Sequence, residues 1–352
     1  MSDTAQQTAG KTGAPQRGQA GAGGGLGSTL MRFLRMLGRQ REATVFVIAL
    51  ALFLYFLIVK GSDFTSKPNQ VTLWSDQVAP YAIIALGEVF LLICGEIDLS
   101  VGFVVGFAPY LMHYLIDFYG FPGLLAMFFA LLLGLVVGWV NGFFTVTLGL
   151  PSFITTLGTG FILLGLMNTT SHDQPAAIPA AVMGIGKWIT YYAWAPIVWA
   201  VVLTAIFHVV LNWTRWGLHT IATGGNQLGA KESGVNVARI KYGNFMLCAT
   251  LGAFTGLMVA FQLNTIDPSA GGFNAMFYAV TAAVIGGTAM LGGSGTILGA
   301  FLGSLVLALL LDGFNLLGIS ANVINMIFGA AVLAAMVANV QLARLRGAGR
   351  VS

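Results

Sequence analysis

Charge is scarce in this sequence. Asp, Glu, Lys and Arg together make up 8% of the 352 residues, whereas soluble proteins average about 25%. Hydrophobic residues make up 57%. This balance excludes an ordinary soluble domain and predicts a protein that crosses a membrane many times. At about 20 residues per helical span, the chain has room for roughly eight to ten helices and for no soluble catalytic domain beside them.

Residues that carry most enzyme and metal chemistry are also rare. The chain has two cysteines and four histidines. Cys94 and Cys248 lie far apart in apolar stretches, so we interpret them as small hydrophobic residues. The segment before Lys231 lacks the glycine that a Walker A loop needs there, and no H-E-x-x-H, C-x-x-C or G-x-S-x-G motif occurs. We predict no catalytic site, no metal site and no cofactor.

Apolar runs of spanning length predict ten transmembrane helices and therefore an all-α integral membrane fold. We place the spans at residues 43–60, 78–95, 99–116, 122–147, 152–169, 195–211, 243–263, 275–291, 296–316 and 322–341.

Three polar stretches accompany this transmembrane domain of residues 43–341. Residues 1–42 are basic and rich in Gly, Gln, Ala and Ser, which predicts a disordered segment. Residues 342–352 form a basic tail, and residues 212–242 form a basic connection between spans. Together the three stretches hold 13 of the 16 Lys and Arg residues. With ten spans, the positive-inside rule places both termini and the connection in the cytoplasm.

The connection of residues 212–242 is long for a link between spans, and loops of that length are usually functional or disordered. Its "LGAKESGV" core is bounded by glycines, which predicts a short helix on the cytoplasmic surface. We interpret this helix as a docking point for a soluble partner. A solvated connector without a partner is the alternative.

The stretch "IGGTAMLGGSGTILGA", residues 285–300, interrupts a membrane segment with glycines. It predicts a broken helix. Exposed backbone is costly in lipid unless it lines a cavity or contacts another helix closely, so such a break has a structural or functional purpose.

Five motifs follow one another in the chain: "GEIDLSVG", "LPSFITTLGT", "GGNQLGAKESGV", "AVIGGTAMLGGSGTILGA" and "FNLLGIS". Together they resemble the permease subunits of bacterial ABC importers for monosaccharides, of the ribose, xylose and arabinose type, in the branched-chain amino acid and sugar permease superfamily. The resemblance covers about residues 45–340. It implies the type II importer fold, with about ten helices, in the bacterial inner membrane.

The resemblance also implies partners. These are a cytoplasmic ATPase subunit that binds ATP and Mg, a periplasmic sugar-binding protein, and a second permease copy, usually in a homodimer surrounded by membrane lipid. A nucleic acid partner is not implied. The permease itself would not be an enzyme, because ATP hydrolysis belongs to the separate subunit.

Two groups of site residues follow from the matching motifs. The ATPase-coupling loop would comprise Gly224, Gly225, Asn226, Ala230, Lys231, Glu232, Ser233 and Gly234. The family motif at the inner mouth would comprise Gly95, Glu96, Asp98, Ser100 and Gly102. The family more often has glycine where this chain has Glu96.

The two carboxylates of "GEIDLSVG" need an environment that tolerates charge. By the span count the motif lies between the second and third helices at the cytoplasmic end, where water or partner groups can solvate it. We interpret Asp98, or Ser100, as the N-cap of the third helix, accepting hydrogen bonds from free backbone N–H groups. Contact with the ATPase or gating of the inner mouth is the alternative.

A path for an uncharged sugar should offer amides, hydroxyls and aromatic faces. The candidates for the translocation path are Glu88, Asn141, Thr155, Thr156, Asn168, Gln262, Asn264, Phe273, Phe314 and Asn315, with Asn322 beyond them. For each polar residue alone, packing between helices is the alternative. Glu88 is the one carboxylate that we place well inside a predicted span, and intramembrane acids are functional candidates by default.

Other functions stay open at this point. A secondary transporter or channel without an ATPase would normally use several intramembrane acids or histidines, and we find Glu88 alone. A structural scaffold is disfavoured by the glycine-broken helices. Within the ABC class, the solute is a sugar by resemblance, with a nucleoside, a branched-chain amino acid or another small polar solute as alternatives.

Overall fold

The computed structural model of the chain describes residues 41–190, 192–330 and 333. The predicted disordered segment, up to residue 40, and the predicted basic tail of residues 342–352 lie outside the described residues and stay predictions. The last predicted span, residues 322–341, is described as a helix as far as residue 330.

The described chain is almost entirely helical. Its α-helices are α1 (Arg41–Lys60), α2 (Ser62–Thr65), α3 (Lys67–Val71), α4 (Ala79–Ile93), α5 (Val101–Asp117), α6 (Gly123–Gly142), α7 (Ser152–Ser171), α8 (Ala180–Ile189), α9 (Ala195–Trp213), α10 (Arg215–Gly225), α11 (Gln227–Glu232), α12 (Val237–Leu263), α13 (Gly272–Ile285), α14 (Ile297–Leu316) and α15 (Ala321–Ala330). Two π-helical segments, Thr72–Val78 and Phe143–Thr147, continue α3 into α4 and extend α6. Strands β1 (Ala176–Ala177) and β2 (Thr265–Ile266) form one short antiparallel pair.

Within the described residues, seven helical stretches are long and apolar enough to cross a membrane. They are α1, the continuous stretch from α3 to α4, α6 with its π-helical extension, α7, α9, α12 and α14. Three shorter apolar helices, α5, α13 and α15, accompany them. Each of the ten predicted spans overlaps one of these ten stretches, so the prediction of an all-α integral membrane protein is confirmed.

The glycine-rich stretch predicted to break a helix does so. Helix α13 ends at Ile285 and α14 begins at Ile297, which corrects our predicted span of residues 275–291. The chain between them turns at Gly292 and Gly293, whose φ angles of 89° and 81° lie in the left-handed region that glycine adopts most readily. We call residues 286–296 the turn segment.

Helix α12 is the centre of the packing and lies against α4, α5 and α6. Its contact with α6 depends on Gly134 and Gly138, which stand four residues apart and therefore on one helix face. A Cβ at Gly134 would lie 2.6 Å from the Ala249 carbonyl oxygen, and one at Gly138 would overlap the backbone of Phe245 and Met246. Small residues at this spacing let two membrane helices approach closely, because packing rather than hydrophobic exclusion holds helices together in lipid.

Alanine at Gly138 should therefore destabilise the protein, since the added methyl group must push α6 away from α12. Gly165 in α7 is the matched control, because a Cβ there meets no atom of the described chain within 4 Å outside its own helix. We expect Gly138→Ala to lower the melting temperature in detergent by several degrees. Gly165→Ala should leave it unchanged or raise it slightly, because alanine favours a helix more than glycine does. Equal melting of both variants and the wild type would contradict this account of the α6–α12 contact.

Candidate functional site

Three distant glycine-rich stretches meet at the C-terminal end of α4. The carbonyl oxygen of Ile93 accepts a hydrogen bond from the backbone N–H of Gly293 at 2.8 Å. Gly224 packs against the same carbonyl, so a Cβ at residue 224 would overlap it. A Cβ at Gly292 would lie 3.1 Å from the Ile93 oxygen, 3.2 Å from the Gly224 oxygen and 3.3 Å from the backbone nitrogen of Gly95. We call these five residues the glycine junction.

The glycine junction joins three motifs that the sequence analysis treated separately. Gly95 begins the "GEIDLSVG" motif and Ile93 lies two residues before it. Gly224 lies in the last turn of α10 in the coupling loop, and Gly292 and Gly293 belong to the turn segment. Backbone lies directly on backbone here, with no side chain between the three stretches. Gly224 of α10 therefore has no room to move toward α4 or the turn segment.

The coupling loop itself contains the short helix that was predicted. Helix α11 spans Gln227–Glu232. The Asn226 side chain caps its start by accepting from the Gly229 N–H at 3.0 Å, and the Ser233 hydroxyl donates to the Gly229 carbonyl oxygen at 2.8 Å. Gly234 follows with a φ of 82° and ends the turn. The loop is shorter than predicted, because α9 extends to Trp213 and α12 begins at Val237.

One side of α11 packs inward and the other is open. Ala230 is buried. Lys231, Glu232, Ser233 and Gly234 are all exposed. Leu228 lies on α11 with 68% of its surface exposed, so the open side offers an apolar group beside two charges. We call Leu228, Lys231 and Glu232 the α11 surface.

A buried amide holds α10 in place. Asn244 of α12 is completely buried, and its Oδ1 accepts from the Trp216 indole N–H at 2.9 Å. Its Nδ2 lies 3.3 Å from each of three acceptors, the Phe90 carbonyl oxygen, Cys94 Sγ and Thr220 Oγ1. The amide thus joins α4, α10 and α12. Asn244 was not among the predicted site residues, although an amide in the first turns of a predicted membrane helix was a usable signal.

Glu96 has a partner that the sequence did not indicate. Its Oε1 lies 2.5 Å from the Lys241 Nζ of α12, and each side chain is 12% exposed. The residue that departs from the family pattern therefore forms an ion pair. This pair ties "GEIDLSVG" to the beginning of α12.

Asp98 is the centre of a buried polar network. Its Oδ1 accepts from the Ser100 backbone N–H at 2.8 Å and from the Ser100 hydroxyl at 2.6 Å. The Asn141 amide of α6 lies 3.2 Å and 3.3 Å from the two Asp98 oxygens and 2.8 Å from Ser100 Oγ. Thr159 of α7 donates to Asn141 Oδ1 at 2.7 Å. The network therefore links the motif to α6 and α7.

Two expectations for Asp98 need correction. The N-cap position of α5 is Ser100, one of the two residues expected there, but its hydroxyl donates to Asp98 instead of accepting from the helix. Asp98 accepts a backbone N–H as expected, although that N–H belongs to Ser100 itself. Asp98 is also completely buried, so groups of the chain itself solvate the carboxylate, and water does not reach it. Gly102 of the same motif packs against the backbone of Gly272 and Met276 in α13.

Burial raises the pKa of Asp98 to about 6, although the hydrogen bonds from Ser100 and Asn141 act in the opposite direction. A group with this shift contributes its stabilisation while it is protonated. That contribution is complete below the pKa of an unfolded Asp, about 4, and is lost as the pH rises through about 6.

The candidates for the translocation path do not come together in one place. Four of them, Glu88, Asn141, Thr155 and Thr156, are buried inside the chain. Five candidates are exposed, namely Asn168, Asn264, Phe273, Asn315 and Asn322. Two others, Gln262 and Phe314, are partly buried. Asn141 belongs to the Asp98 network, and Thr156 Oγ1 accepts from the Leu99 N–H at 3.0 Å. For these two residues the geometry favours the packing alternative.

Glu88 is not the only acid buried in a membrane helix, which corrects the sequence analysis. Asp312 in α14 is 3% exposed and accepts from Asn69 Nδ2 at 2.9 Å. Glu88 is completely buried, with the Cys248 Sγ 3.6 Å from its Oε1. Its Oε2 has no hydrogen-bond partner within the described chain. Glu88 lines no opening of the chain in this conformation.

Alanine at Gly224 should break the glycine junction, because the new methyl group would occupy the position of the Ile93 carbonyl oxygen. Gly225 is the matched control in the same helical turn, since a Cβ there meets nothing within 4 Å in the described structure beyond its own helix. We expect Gly224→Ala to reduce folded protein in the membrane severalfold and Gly225→Ala to match the wild type, as measured by fluorescence-detected gel filtration. Normal yield and melting of Gly224→Ala would refute the close contact.

Asp98 variants separate hydrogen bonding from charge. Asp98→Asn keeps an acceptor for Ser100, so we expect near-normal folding and uptake, whereas Asp98→Leu leaves Ser100 and Asn141 unsatisfied and should lose expression. The melting temperature of the wild type should fall as the pH rises from about 4 to about 6, and Asp98→Asn should remove that part of the dependence. Identical pH profiles for Asp98→Asn and the wild type would contradict the role of this carboxyl.

Comparison with known proteins shows the family. Residues 71–336 match the family model described as the permease component of branched-chain amino acid transport systems. A xylose/arabinose import permease protein of Sulfolobus acidocaldarius is 33% identical over 280 residues, which cover 78% of each chain. A fructose import permease protein of Rhizobium meliloti is 31% identical over 292 residues, 79% of this chain and 80% of the relative.

An autoinducer 2 import system permease protein of Yersinia pseudotuberculosis is 30% identical over 279 residues, covering 78% of this chain and 77% of the relative. No solved structure matches the chain. These matches confirm the resemblance that the five motifs carry. The chain is a multi-pass membrane protein and belongs to the family of branched-chain amino acid transport system permease components.

Proposed function

We propose that this chain is the membrane subunit of an ATP-driven importer and passes a monosaccharide, a pentose or a hexose, into the cytoplasm. The observation that carries the proposal is the glycine junction, which seats the coupling loop on the end of a membrane helix. Two of the relatives are named for the import of sugars, xylose or arabinose in one case and fructose in the other. Their identities of 33% and 31% support the solute class and leave the particular sugar open.

In this proposal the α11 surface docks on a cytoplasmic ATPase. An exposed leucine beside charged residues is the composition of a small docking surface with an apolar centre and a polar rim. Binding and hydrolysis of ATP on the partner would move α11 and α10. The glycine junction and the Asn244 amide would pass this movement to α4, α12 and the turn segment, and so alternate the opening of the path.

The remaining partners complete the proposal. A periplasmic binding protein would deliver the sugar, and a second copy of this chain would form the other half of the path. Helix α7 presents the large exposed side chains of Phe153, Ile154, Phe161 and Ile162, which suit lipid or the second copy. Both termini would lie in the cytoplasm, ATP and Mg would bind to the ATPase, and nucleic acid would have no part.

The alternative of a transporter without an ATPase receives less support from the geometry. A proton-coupled carrier needs a chain of titratable groups that leads across the membrane. Among the described residues, Glu88 lies beside the Cys248 thiol and close to Asp98, and Asp312 pairs with Asn69 far from both. Neither forms such a chain. The family description names branched-chain amino acids, so an amino acid or another small polar solute is the competing cargo.

Leu228→Glu tests the docking proposal. A charge at the apolar centre of the α11 surface should abolish co-purification of the ATPase and ATP-dependent sugar uptake, because an unpaired charge would be buried at the interface. Lys231→Gln on the same helix is the control, since a rim charge contributes little. Gly234 is a poorer position for such a test, because its φ of 82° would strain any other residue.

The measurement is affinity purification of the tagged chain, expressed with its neighbouring genes, followed by identification of the co-purifying proteins. An ATPase in stoichiometric amount with the wild type and Lys231→Gln, but not with Leu228→Glu, is the expected result. Normal retention of the ATPase by a folded Leu228→Glu variant would place the docking surface elsewhere.

A further inference from the structure

A non-helical stretch of chain lies deep inside the membrane domain. Residues 267–271 join β2 to α13 and belong to no helix or strand. We call them the descending segment, because they run from the end of β2 toward the middle of the helices. Backbone contacts with α5 fix their depth. A Cβ at Gly106 of α5 would lie 3.3 Å from the Pro268 carbonyl oxygen, and one at Gly271 would overlap the Gly102 carbonyl oxygen.

Helix α12 supplies the scale for this depth, because its 27 residues are enough to cross a membrane. The same turns of α5 pack on Gly252 and Gly256 of α12. A Cβ at Gly252 would lie 3.1 Å from the Val101 carbonyl oxygen, and one at Gly256 would overlap the carbonyl oxygen of Val105. At about 1.5 Å per residue, these two glycines lie roughly 10 to 17 Å from the end of α12 at Leu263. The descending segment therefore lies at the level of the hydrocarbon core.

The side chains exposed at this level differ from those of a lipid-facing helix. Between residues 124 and 136, every exposed side chain of α6 is apolar. The descending segment and the start of α13 instead expose Ser269, Ala270, Phe273 and Asn274. Non-helical backbone is tolerated at membrane depth only where protein buries it or where it lines a water-filled cavity. This exposed side therefore suits an aqueous path better than lipid.

An aromatic ring is held in place on the exposed side. The Phe273 ring lies edge-on to the ring of buried Phe103, with centroids 5.0 Å apart, and to the ring of Phe161 in α7, with centroids 5.9 Å apart. Phe273 is nevertheless 48% exposed and Phe161 52%. The two neighbouring rings thus fix the orientation of Phe273, because edge-to-face packing is a favoured arrangement of aromatic rings, while about half of its surface stays open.

Polar groups stand beside this ring. The exposed Asn274 amide can both donate and accept hydrogen bonds. The Ser269 hydroxyl donates to Asp267 Oδ1 at 2.7 Å, which leaves its oxygen able to accept. A sugar ring presents an apolar C–H face and a rim of hydroxyl groups, and an aromatic surface with a few polar groups matches both.

The charges of this face also favour an uncharged solute. Neither residues 267–274 nor α7 contains a Lys or Arg, so no cationic side chain of these stretches would pair with the carboxylate of an amino acid.

We propose that the descending segment and the first turn of α13 form a low-affinity contact site for the sugar during its passage. In this site the Phe273 ring packs on the C–H face of the sugar, and Asn274 and Ser269 bond to its hydroxyl groups. The site is an open face instead of an enclosed cavity, so it has room for a whole pentose or hexose ring and holds it weakly. The proposal rests on the proposed function of sugar import and adds the place where the permease itself contacts its cargo.

Cysteine labelling tests whether this face is in contact with water. Ala270 is exposed, and both native cysteines are buried, so Ala270→Cys is the probe. Phe128→Cys is the matched control, because Phe128 is 57% exposed on the apolar side of α6, a few turns from Gly134, which packs on the middle of α12. Each variant of the full-length chain, in lipid nanodiscs with its co-purifying ATPase, is treated with a membrane-impermeant maleimide.

We expect Ala270→Cys to react about tenfold faster than Phe128→Cys, because apolar surroundings keep a thiol from forming the reactive thiolate. Equally slow labelling of the two variants would show that lipid or the second copy covers the descending segment, and would overturn the contact site.

Protection by sugar tests the ligand. We expect at least one of D-xylose and D-fructose at millimolar concentration to slow labelling of Ala270→Cys severalfold. Leu317→Cys, which replaces an exposed leucine in the turn after α14, reports any effect of the sugar on the reagent and should be unaffected.

Two further substitutions test the named contacts in the Ala270→Cys background. Asn274→Ala should raise the half-protecting concentration of the sugar about fivefold, the effect of losing one hydrogen bond. Phe273→Leu should also raise it, because the aromatic face is lost. Protection that neither substitution changes would place the sugar elsewhere and overturn the contact site.

The two proposals fail in different ways. If cells that express the wild-type chain with its ATPase take up either sugar, and neither sugar protects Ala270→Cys, the contact site is wrong and the importer stands. If those cells take up neither sugar, and no labelling rate changes with sugar, sugar import itself is wrong.

Discussion

One backbone oxygen organises this structure. The carbonyl groups at the end of a helix lack partners within that helix, and in a membrane such a group must be satisfied by the protein. At the end of α4 the partner of the Ile93 oxygen is the Gly293 N–H, and Gly224 packs so closely that no side chain fits between. The hydrogen bond and the close packing at the C-terminal end of α4 therefore hold the turn segment, the coupling loop and the "GEIDLSVG" motif together as one unit.

The proposed importer function rests on what surrounds this unit. On one side, α11 exposes Leu228 in a loop that leaves the membrane helices. On the other, the Asn244 amide and the Glu96–Lys241 ion pair fasten the unit to α12, which is packed against most of the core. Buried hydrogen bonds and backbone contacts have few alternative arrangements, so under the proposed function a push on α11 would reach the membrane helices instead of being absorbed locally. That rigidity is what a coupling element requires.

Hydropathy and glycine position were sufficient to predict the ten helical stretches, the break after α13 and the helix α11, because each depends on residues close together in the sequence. The polar side-chain contacts could not be predicted from the sequence. Glu96 and Lys241 are 145 residues apart, and Asn244 meets Trp216, Thr220 and Cys94 through tertiary packing alone. Asp98 was assigned to a helix cap because its sequence context fits one. In the fold, the buried Asn141 amide contacts both Asp98 oxygens, and no local sequence pattern reveals this contact. Asp312 was missed because it lies near the end of its predicted span.

The account predicts that the coupling loop lets ATP drive transport through this chain. The most direct measurement is sugar accumulation by proteoliposomes that contain the permease and its co-purifying ATPase, with ATP inside and the binding protein outside. We expect radiolabelled xylose or fructose to accumulate above its external concentration and to stop accumulating when hydrolysis is blocked with vanadate. Equilibration of the sugar at the same rate with and without ATP would contradict the account and identify the chain as a passive or ion-coupled carrier.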